Sequence, residues 1–508
     1  MDNKVRIESI IKIVQEKCLS WLKIDENGSV IFEDPNDGEE ISAHYGATHA
    51  AAAFIIRGSE IGDKILYDSG ISLLKSILER WYESKKLVAF HFDFNNFALC
   101  ASLPYIKDIE LAKFIKKTVL STSDSNNPTT NWIPMRWYVN LCRKEWTGDE
   151  KYQRVIDQCK SEIKAATNSD GGVEDRLPKG ISFNLQYDAS TVGVLQYISC
   201  RGYQINLSKE LGFLLNAVAP DGDVNYQGRG TNQIFAWSCW LYLLASAGKE
   251  IPLAEGLNFV EYRLHKMLVN NNIMLNAWEG KEKYLWWDYH YASVYIAHFL
   301  FWMVLAQIDY GKKTIQEDFV EDGSTGLRIH KGNGLFVSIF DGRNEYLAEK
   351  GPVVSCLWTK NKGIISKGTF APWQGAFGNK YIYEDIVIKN FMGLLRVARN
   401  KDWSKNRYVH KLLPTIESDP SLCLSPIFCP IKIHEGDGEL EVVWKNKFDG
   451  ELLLNIPSFI KNLEAEILID GMPIQLSCVS AFRNQYDWVW IHQTHSFKGH
   501  EIKLKIKV

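Results

Sequence analysis

What this chain lacks narrows its class before any motif is read. Its ten cysteines stand singly, at 18, 100, 142, 159, 200, 239, 356, 423, 429 and 478, with no CxxC and no zinc-ligand spacing. Neither a disulfide framework nor a metal site is therefore expected, and buried free thiols of a reducing compartment are. Charge of one sign is missing too: 58 Lys and Arg face 61 Asp and Glu, the net is −3, and no long single-sign run occurs. That balance excludes the basic footprint of a nucleic-acid binder and leaves global steering weak. No apolar run reaches a membrane-spanning length. The strongest, 291 to 306, is interrupted by His298, and mean hydropathy is −0.19. Met1-Asp2-Asn3-Lys4-Val5-Arg6-Ile7-Glu8 has no apolar core of the secretory kind, so a cytoplasmic protein without a membrane partner is expected. Gly228-Arg229-Gly230 is too short a glycine motif to cradle phosphate, and no cofactor is expected.

What the chain does contain is a recurrence. Six times an apolar run is opened by a cluster of His, Tyr, Trp, Asn or Asp: His44-Tyr45-Gly46-Ala47-Thr48-His49, His91-Phe92-Asp93-Phe94-Asn95-Asn96, Thr130-Asn131-Trp132, Asn184-Leu185-Gln186-Tyr187-Asp188, Tyr226 to Gln233, and Trp286-Trp287-Asp288-Tyr289-His290-Tyr291. The runs that follow, such as Ala50 to Ile56 and Ile234 to Leu244, are apolar nearly all round and must be inner helices. Before each lies an amphipathic, charged partner, roughly at 4–22, 62–84, 108–119, 150–166, 207–217 and 253–269. Six hairpins of alternating outer and inner helices predict an (α/α)6 toroid over residues 1–312.

Helical periodicity ends near Tyr310-Gly311-Lys312-Lys313. Beyond it come short alternating runs with Gly, Asn and Asp turns, among them Leu335 to Phe340, Glu439 to Trp444, Glu451 to Ile456, Ala465 to Gly471 and Glu501 to Ile506. They predict an antiparallel β-sandwich domain over 313–508 and an α+β multidomain chain.

An (α/α) toroid followed by an antiparallel β domain resembles the polysaccharide lyases acting on uronic-acid polymers: hyaluronate and chondroitin lyases, alginate lyases and heparinase II/III-like proteins. Three motifs carry the likeness. Thr130-Asn131-Trp132 followed by Arg136 resembles an Asn-Trp-Trp segment ending in Pro-Arg, with Ile133 at the second Trp. Gly228-Arg229-Gly230 is similar to a Gly-Arg segment that precedes a second Arg, and Gln233 occupies roughly that second position. Ser169-Asp170-Gly171-Gly172-Val173-Glu174 followed by Asn184-Leu185-Gln186-Tyr187-Asp188 resembles an Asp-Gly stretch leading to a Tyr-His pair, with Asp188 where the His would stand.

The resemblance implies β-elimination on an acidic oligosaccharide or polysaccharide. That reaction requires donors to neutralise the uronate carboxylate, a base for the C5 proton and an acid for the leaving oxygen. Tyr187 is the expected base and acid, made acidic by a neighbouring cation from Arg229 or Arg136. Asn131 is the carboxylate-side donor, and His91 or His290 completes the set. Substrate contacts are expected from His44, Trp132, Arg136, Asn184, Tyr226, Gln233, Trp287 and Tyr289, the Trp rings by stacking on a pyranose face. From the β half, Arg407 or His410 is the candidate contributor.

Each residue also has a plainer use. Tyr187 and the histidines can be satisfied core groups, Asn131 a helix N-cap, Arg229 an ion-pair partner, and Trp132, Trp286 and Trp287 core. Other reactions fit the same clusters. A glycoside hydrolase would need an Asp/Glu pair, for which Asp93, Asp188 and Asp288 open inner helices while Glu174, Asp175, Asp221 and Asp223 lie in adjoining loops. A uronyl C5-epimerase shares the proton abstraction, and a glycan-binding protein would keep the cleft without turnover.

Overall fold

The computed structural model describes residues 2–35, 38, 40, 44–84, 91–125, 129–177, 180–228, 234–269, 272–273, 292–332, 334–340, 353–367, 378–382, 431–436, 439–445, 451–483, 488–495 and 497–507. Its first half alternates two kinds of helix. The outer ones are α1 (Asn3–Ser20), α3 (Lys64–Ser84), α5 (Ile109–Ser121), α7 (Glu150–Ala166), α9 (Ser208–Ala217) and α11 (Glu250–Met267); the inner ones are α2 (Gly46–Ile61), α4 (Phe92–Ser102), α6 (Ile133–Thr147), α8 (Leu185–Cys200), α10 (Ile234–Ser246) and α12 (Ala292–Ile308).

Patterning explains the two layers. On α7 only Tyr152, Ile156, Cys159, Ile163 and Ala166 are buried, one stripe at helical spacing, whereas every residue of α10 is buried. Outer helices α1, α5 and α7 start in solvent and are N-capped by Asp2, Asp108 and Asp149, whose carboxylates accept backbone N–H groups at 2.8 to 3.0 Å. The inner helices pack α2 on α4, α4 on α6, α6 on α8, α8 on α10, α10 on α12, and α12 back on α2, so the ring closes. One close approach needs a glycine: a Cβ on Gly46, the first residue of α2, would lie 2.8 Å from the Val294 Cα of α12.

Short hairpins β1–β2 (Leu22–Ile24, Val30–Phe32), β3–β4 (Asp175–Leu177, Gly180–Ser182) and β5–β6 (Leu268–Val269, Asn272–Ile273) sit in toroid connections. After α12, residues 309–326 stay on the helices: Asp318 N–H donates to Ser208 C=O at 2.9 Å, and Gln196 Nε2 donates to Lys313 C=O at 2.9 Å.

Two antiparallel sheets follow. The larger has eight strands in the order β17 (Leu476–Arg483), β18 (Trp488–Thr494), β14 (Glu451–Ser458), β11 (Gly378–Ile382), β9 (Val353–Thr359), β8 (Leu335–Phe340) and β7 (Leu327–Gly332), with β10 (Gly363–Lys367) also paired to β9. The smaller has five: β12 (Ile431–Gly436), β13 (Glu439–Lys445), β19 (Glu501–Lys507), β15 (Ala465–Ile469) and β16 (Met472–Ile474). Strand β8 is buried on both faces, and its period of two sorts the neighbours. Leu335, Val337 and Ile339 share a core with Ile467, Ile469, Ile502, Leu504 and Ile506 of the smaller sheet. Phe336 and Phe340 point the other way into the helical core, against Tyr226 and Phe183 at ring distances of 6.3 and 6.0 Å. The large sheet is thus the layer between toroid and small sheet.

The Gly46 contact gives a sign test. In an ordinary helix Gly→Ala stabilises by about 0.5–1 kcal/mol, but here the methyl meets backbone of α12, so Gly46→Ala should destabilise by about 1–3 kcal/mol. Urea unfolding of the variant measures it, and a raised midpoint would contradict the close packing of α2 on α12.

Candidate active site

Because the inner helices alternate with outer ones, their N-termini share one end of the ring, and the described residues of the polar clusters lie there. Aromatic and imidazole rings form a continuous floor. His44 lies 4.2 Å from His91, His91 5.2 Å from Trp132, and Trp132 5.3 Å from Phe94. Tyr45 stacks on Phe94 at 4.3 Å and meets His91 edge-on at 5.4 Å. Phe94 continues to Phe235 of α10 at 6.3 Å, which meets Tyr187 of α8 at 6.2 Å and Tyr295 of α12 at 6.1 Å. Four inner helices, the 3-10 turn before α6 that carries Trp132 and the His44-Tyr45 entry to α2 therefore contribute. The start of α12 is fixed by Asp34, fully buried, which accepts the Ser293 N–H and Oγ–H at 2.8 and 2.9 Å.

Beneath the floor runs a chain of buried polar groups. His49 Nε2 lies 3.3 Å from Phe94 C=O, His49 Nδ1 3.2 Å from His298 Nδ1, and His298 Nε2 3.6 Å from Cys239 Sγ. A carbonyl only accepts. With both rings neutral, the donors must therefore run from the Cys239 thiol to His298, from His298 Nδ1–H to His49, and from His49 Nε2–H to Phe94. Burial enforces that neutrality: it pulls His49 down to about 3 and His298 well below the usual imidazole value. Phe235 stacks flat on His298 at 4.2 Å, which ties the chain to the floor.

The described carboxyl groups of the clusters, Asp93 and Asp188, are buried. Asp93 is paired with Arg136 at 2.9 Å and accepts Ser125 N–H at 3.4 Å; burial raises it to about 6, against the opposing pull of Arg136. Asp188 is fully buried, accepts Val173 N–H at 3.3 Å with one oxygen, and its other oxygen has no hydrogen-bond partner among the described residues. Burial pushes its carboxyl well above the usual range. Asp175 accepts Thr130 N–H at 3.2 Å, directly before Asn131.

Of the residues singled out by sequence, His44, His91, Trp132 and Tyr187 meet in the floor, Tyr187 half-buried. Asn131 occupies the 3-10 turn Thr130–Trp132 that leads into α6; it is not the N-cap, and its Oδ1 has no partner among the described residues. Asn184, expected on substrate, is the N-cap of α8, its Oδ1 accepting Tyr187 N–H at 2.9 Å. Tyr226, expected likewise, is a core residue: its ring is fully buried against Phe336, and its hydroxyl donates to Ala217 C=O at 2.5 Å. Arg136, offered as cation or substrate contact, is buried on Asp93. Arg229, Gln233, Trp287, Tyr289 and His290 lie outside the described residues, as do Trp286, Asp288, Arg407 and His410. Sequence reasoning missed the His49–His298 pair and the Phe235 link. The one available signal was His298 itself, a lone imidazole on an otherwise apolar helix. In the β half, His492 Nε2 lies 3.1 Å from Ile460 C=O.

Among the described residues, no group of three or more His, Cys, Asp or Glu is arranged to hold a metal, and no helix is long and apolar enough to cross a membrane. Every described cysteine is a free thiol.

The sequence matches no family profile and no curated protein. Among solved structures the chain is similar to the GH76A α-1,6-mannanase of Salegentibacter sp. HEL1_6, at 15% identity over 60% of this chain and 98% of that one, with a TM-score of 0.43. It is also similar to a GH76 α-mannanase of Bacteroides thetaiotaomicron (12% identity, 61% and 96% covered, TM-score 0.40). A third is a substituted unsaturated glucuronyl hydrolase of Streptococcus agalactiae (13% identity, 60% and 92% covered, TM-score 0.39). At these scores they add nothing to the ring read directly from helix packing.

The histidine pair makes stability fall with acid. A histidine free to titrate near 6.5 when unfolded but depressed when folded contributes fully above about pH 6.5, and its contribution is lost as pH falls below that toward 3. Asp93 and Asp188, raised in the fold, act oppositely, favouring the folded state more as pH drops. A double variant His49→Phe/His298→Phe should therefore lose less unfolding free energy than the parent between about pH 6.5 and 5. Urea titrations at both pH values decide it, and equal losses would mean the pair does not stay neutral.

Proposed function

We infer that the protein cleaves glycosidic bonds, with sugar rings lying across the floor formed by His44, Tyr45, His91 and Trp132 at the N-terminal end of the inner helices. That floor is the observation that carries the reading, since aromatic faces pack against the apolar faces of pyranoses and the surrounding His, Asn and Tyr supply hydroxyl partners. In this reading residues 1–312 carry the site, and 313–508 form a β-sandwich backing it. The glycan-degrading names of the similar structures agree with the inference without carrying it.

Hydrolysis is the first chemistry. Elimination by Tyr187 asked for a cation beside the phenol. One of its two candidates, Arg136, is neutralised by Asp93. A general acid for the leaving oxygen needs a carboxyl shifted toward the protonated form, the direction in which burial moves Asp188, while Asp93, raised to about 6 but paired with Arg136, suits the second, ionised carboxylate. β-Elimination of a uronate is the second reading. It is favoured by the link of Tyr187 to the floor through Phe235.

Products discriminate. Incubation with neutral mannans and with uronate glycans, followed by reducing-end assay and ultraviolet absorbance, separates saturated sugars from conjugated unsaturated ones. Under hydrolysis, Asp93→Asn or Asp188→Asn should cut turnover by roughly 10²–10⁴ while Tyr187→Phe stays active. Asp188→Asn is the cleaner probe, because Asp93→Asn would also break the ion pair with Arg136. Under elimination, Tyr187→Phe should abolish turnover with binding retained, Asn131→Ala should lower it, and Asp188→Asn should be tolerated. No cleavage of any glycan, with binding intact, would leave a glycan-binding protein.

A further inference from the structure

We propose that Lys367, on the last residue of β10, is a positioning residue for the cleft: it clamps the segment 219–228, and through it the first turns of α8 and α10, so that the β half sets the spacing of the floor. The proposal rests on the reading that the glycan lies at this end of the ring.

The clamp is a chain of contacts from sheet to floor. Lys367 Nζ lies 2.7 Å from Asp221 Oδ2 and 2.7 Å from Asp223 Oδ2, with its side chain 2% exposed. Asp223, fully buried, passes the constraint on with its other oxygen, which accepts Trp237 Nε1–H of α10 at 3.0 Å and Asn225 N–H at 2.7 Å. Asn225 Nδ2 then donates to Gln186 Oε1 of α8 at 3.3 Å. Gln227 closes the loop on both sides: its C=O accepts Leu185 N–H at 3.1 Å, and its side-chain oxygen accepts Ser355 Oγ–H of β9. Next to it Gly228, at φ +86°, lies so close to Asn184 that a Cβ would sit 2.3 Å from the Asn184 Cβ. The segment is therefore pressed on the N-cap of α8, two to three residues from Tyr187, and hydrogen-bonded to α10 at Trp237, two residues from Phe235.

A buried ammonium shared by two carboxylates is costly to remove, because the carboxylates left behind are uncompensated. Simple balancing of charge would ask only for neutrality, whereas a clamp asks for the ammonium itself. Two variants separate these roles: Lys367→Met, and the triple variant Lys367→Met/Asp221→Asn/Asp223→Asn, which restores neutrality without the tether. Amide hydrogen exchange by mass spectrometry reads local opening directly and needs no substrate. In both variants, exchange at 185–190 and 219–228 should accelerate on the order of tenfold or more, while α4, α6 and the smaller sheet stay at parental rates. With a cleaved glycan in hand, kcat should fall in both variants more than KM rises. Parental exchange at 185–190 and 219–228 in the triple variant would overturn the proposal, as would acceleration spread evenly over the molecule. Failure to find any cleaved glycan would count against the function inferred above and leave the exchange result to judge the clamp.

Discussion

A helix without a polar face has to be covered along its whole length, and the rest of this molecule depends on that constraint. Helices α8, α10 and α12 expose almost nothing, so each needs neighbours on every side. Six such helices satisfy one another by closing into a ring, and the amphipathic helices supply the outer cover. Once the ring is closed, the only places where polar side chains of inner helices can meet solvent or a ligand are the ends. The described residues of the clusters that open the inner helices therefore converge without any one of them specifying the others.

The same burial dictates the chemistry available there. Each polar group drawn into the ring must find a partner, and most have: Asp93 on Arg136, Asp34 on Ser293, and the imidazoles of His49 and His298 on each other and on the Phe94 carbonyl. Low polarity keeps the histidines neutral and the buried carboxyls protonated further toward neutrality than in water. The opposite end is sealed by the same logic. Asp309, fully buried at the end of α12, takes Arg201 and Lys312 as ion partners and accepts the Tyr242 hydroxyl. One end of the ring is thus plugged by charge, and the other is lined by rings.

The β half is joined to the helices by polar contacts as well as apolar ones. Phe336 and Phe340 fill the joint, while Asp170 accepts from Thr325 and Lys367 takes Asp221 and Asp223, all in low-exposure surroundings. These polar links fall on the loops before α8 and α10, so the joint bears on the same helix starts that build the floor.

Helix order, the two helix characters and the change to strand patterning were legible in the sequence, because 3.6-residue and two-residue periodicities are local properties of the chain. The outer helices fall close to the predicted spans, and the inner ones follow their clusters. The cluster residues His44, His91, Trp132 and Tyr187 were legible as a group for the same reason: each opens a helix that has to be inside. Only the tertiary structure decided which way each side chain faces within its cluster. One residue along a helix is a rotation of about 100°, enough to put Tyr187 on the floor, Asp188 under Val173 and Asn184 on a backbone N–H. Partners far apart in the chain were equally hidden, since nothing local in His49, Asp93 or Lys367 names His298, Arg136 or Asp223. Pairing across the ring and across the joint is set by which elements pack together, and that is a property of the whole fold.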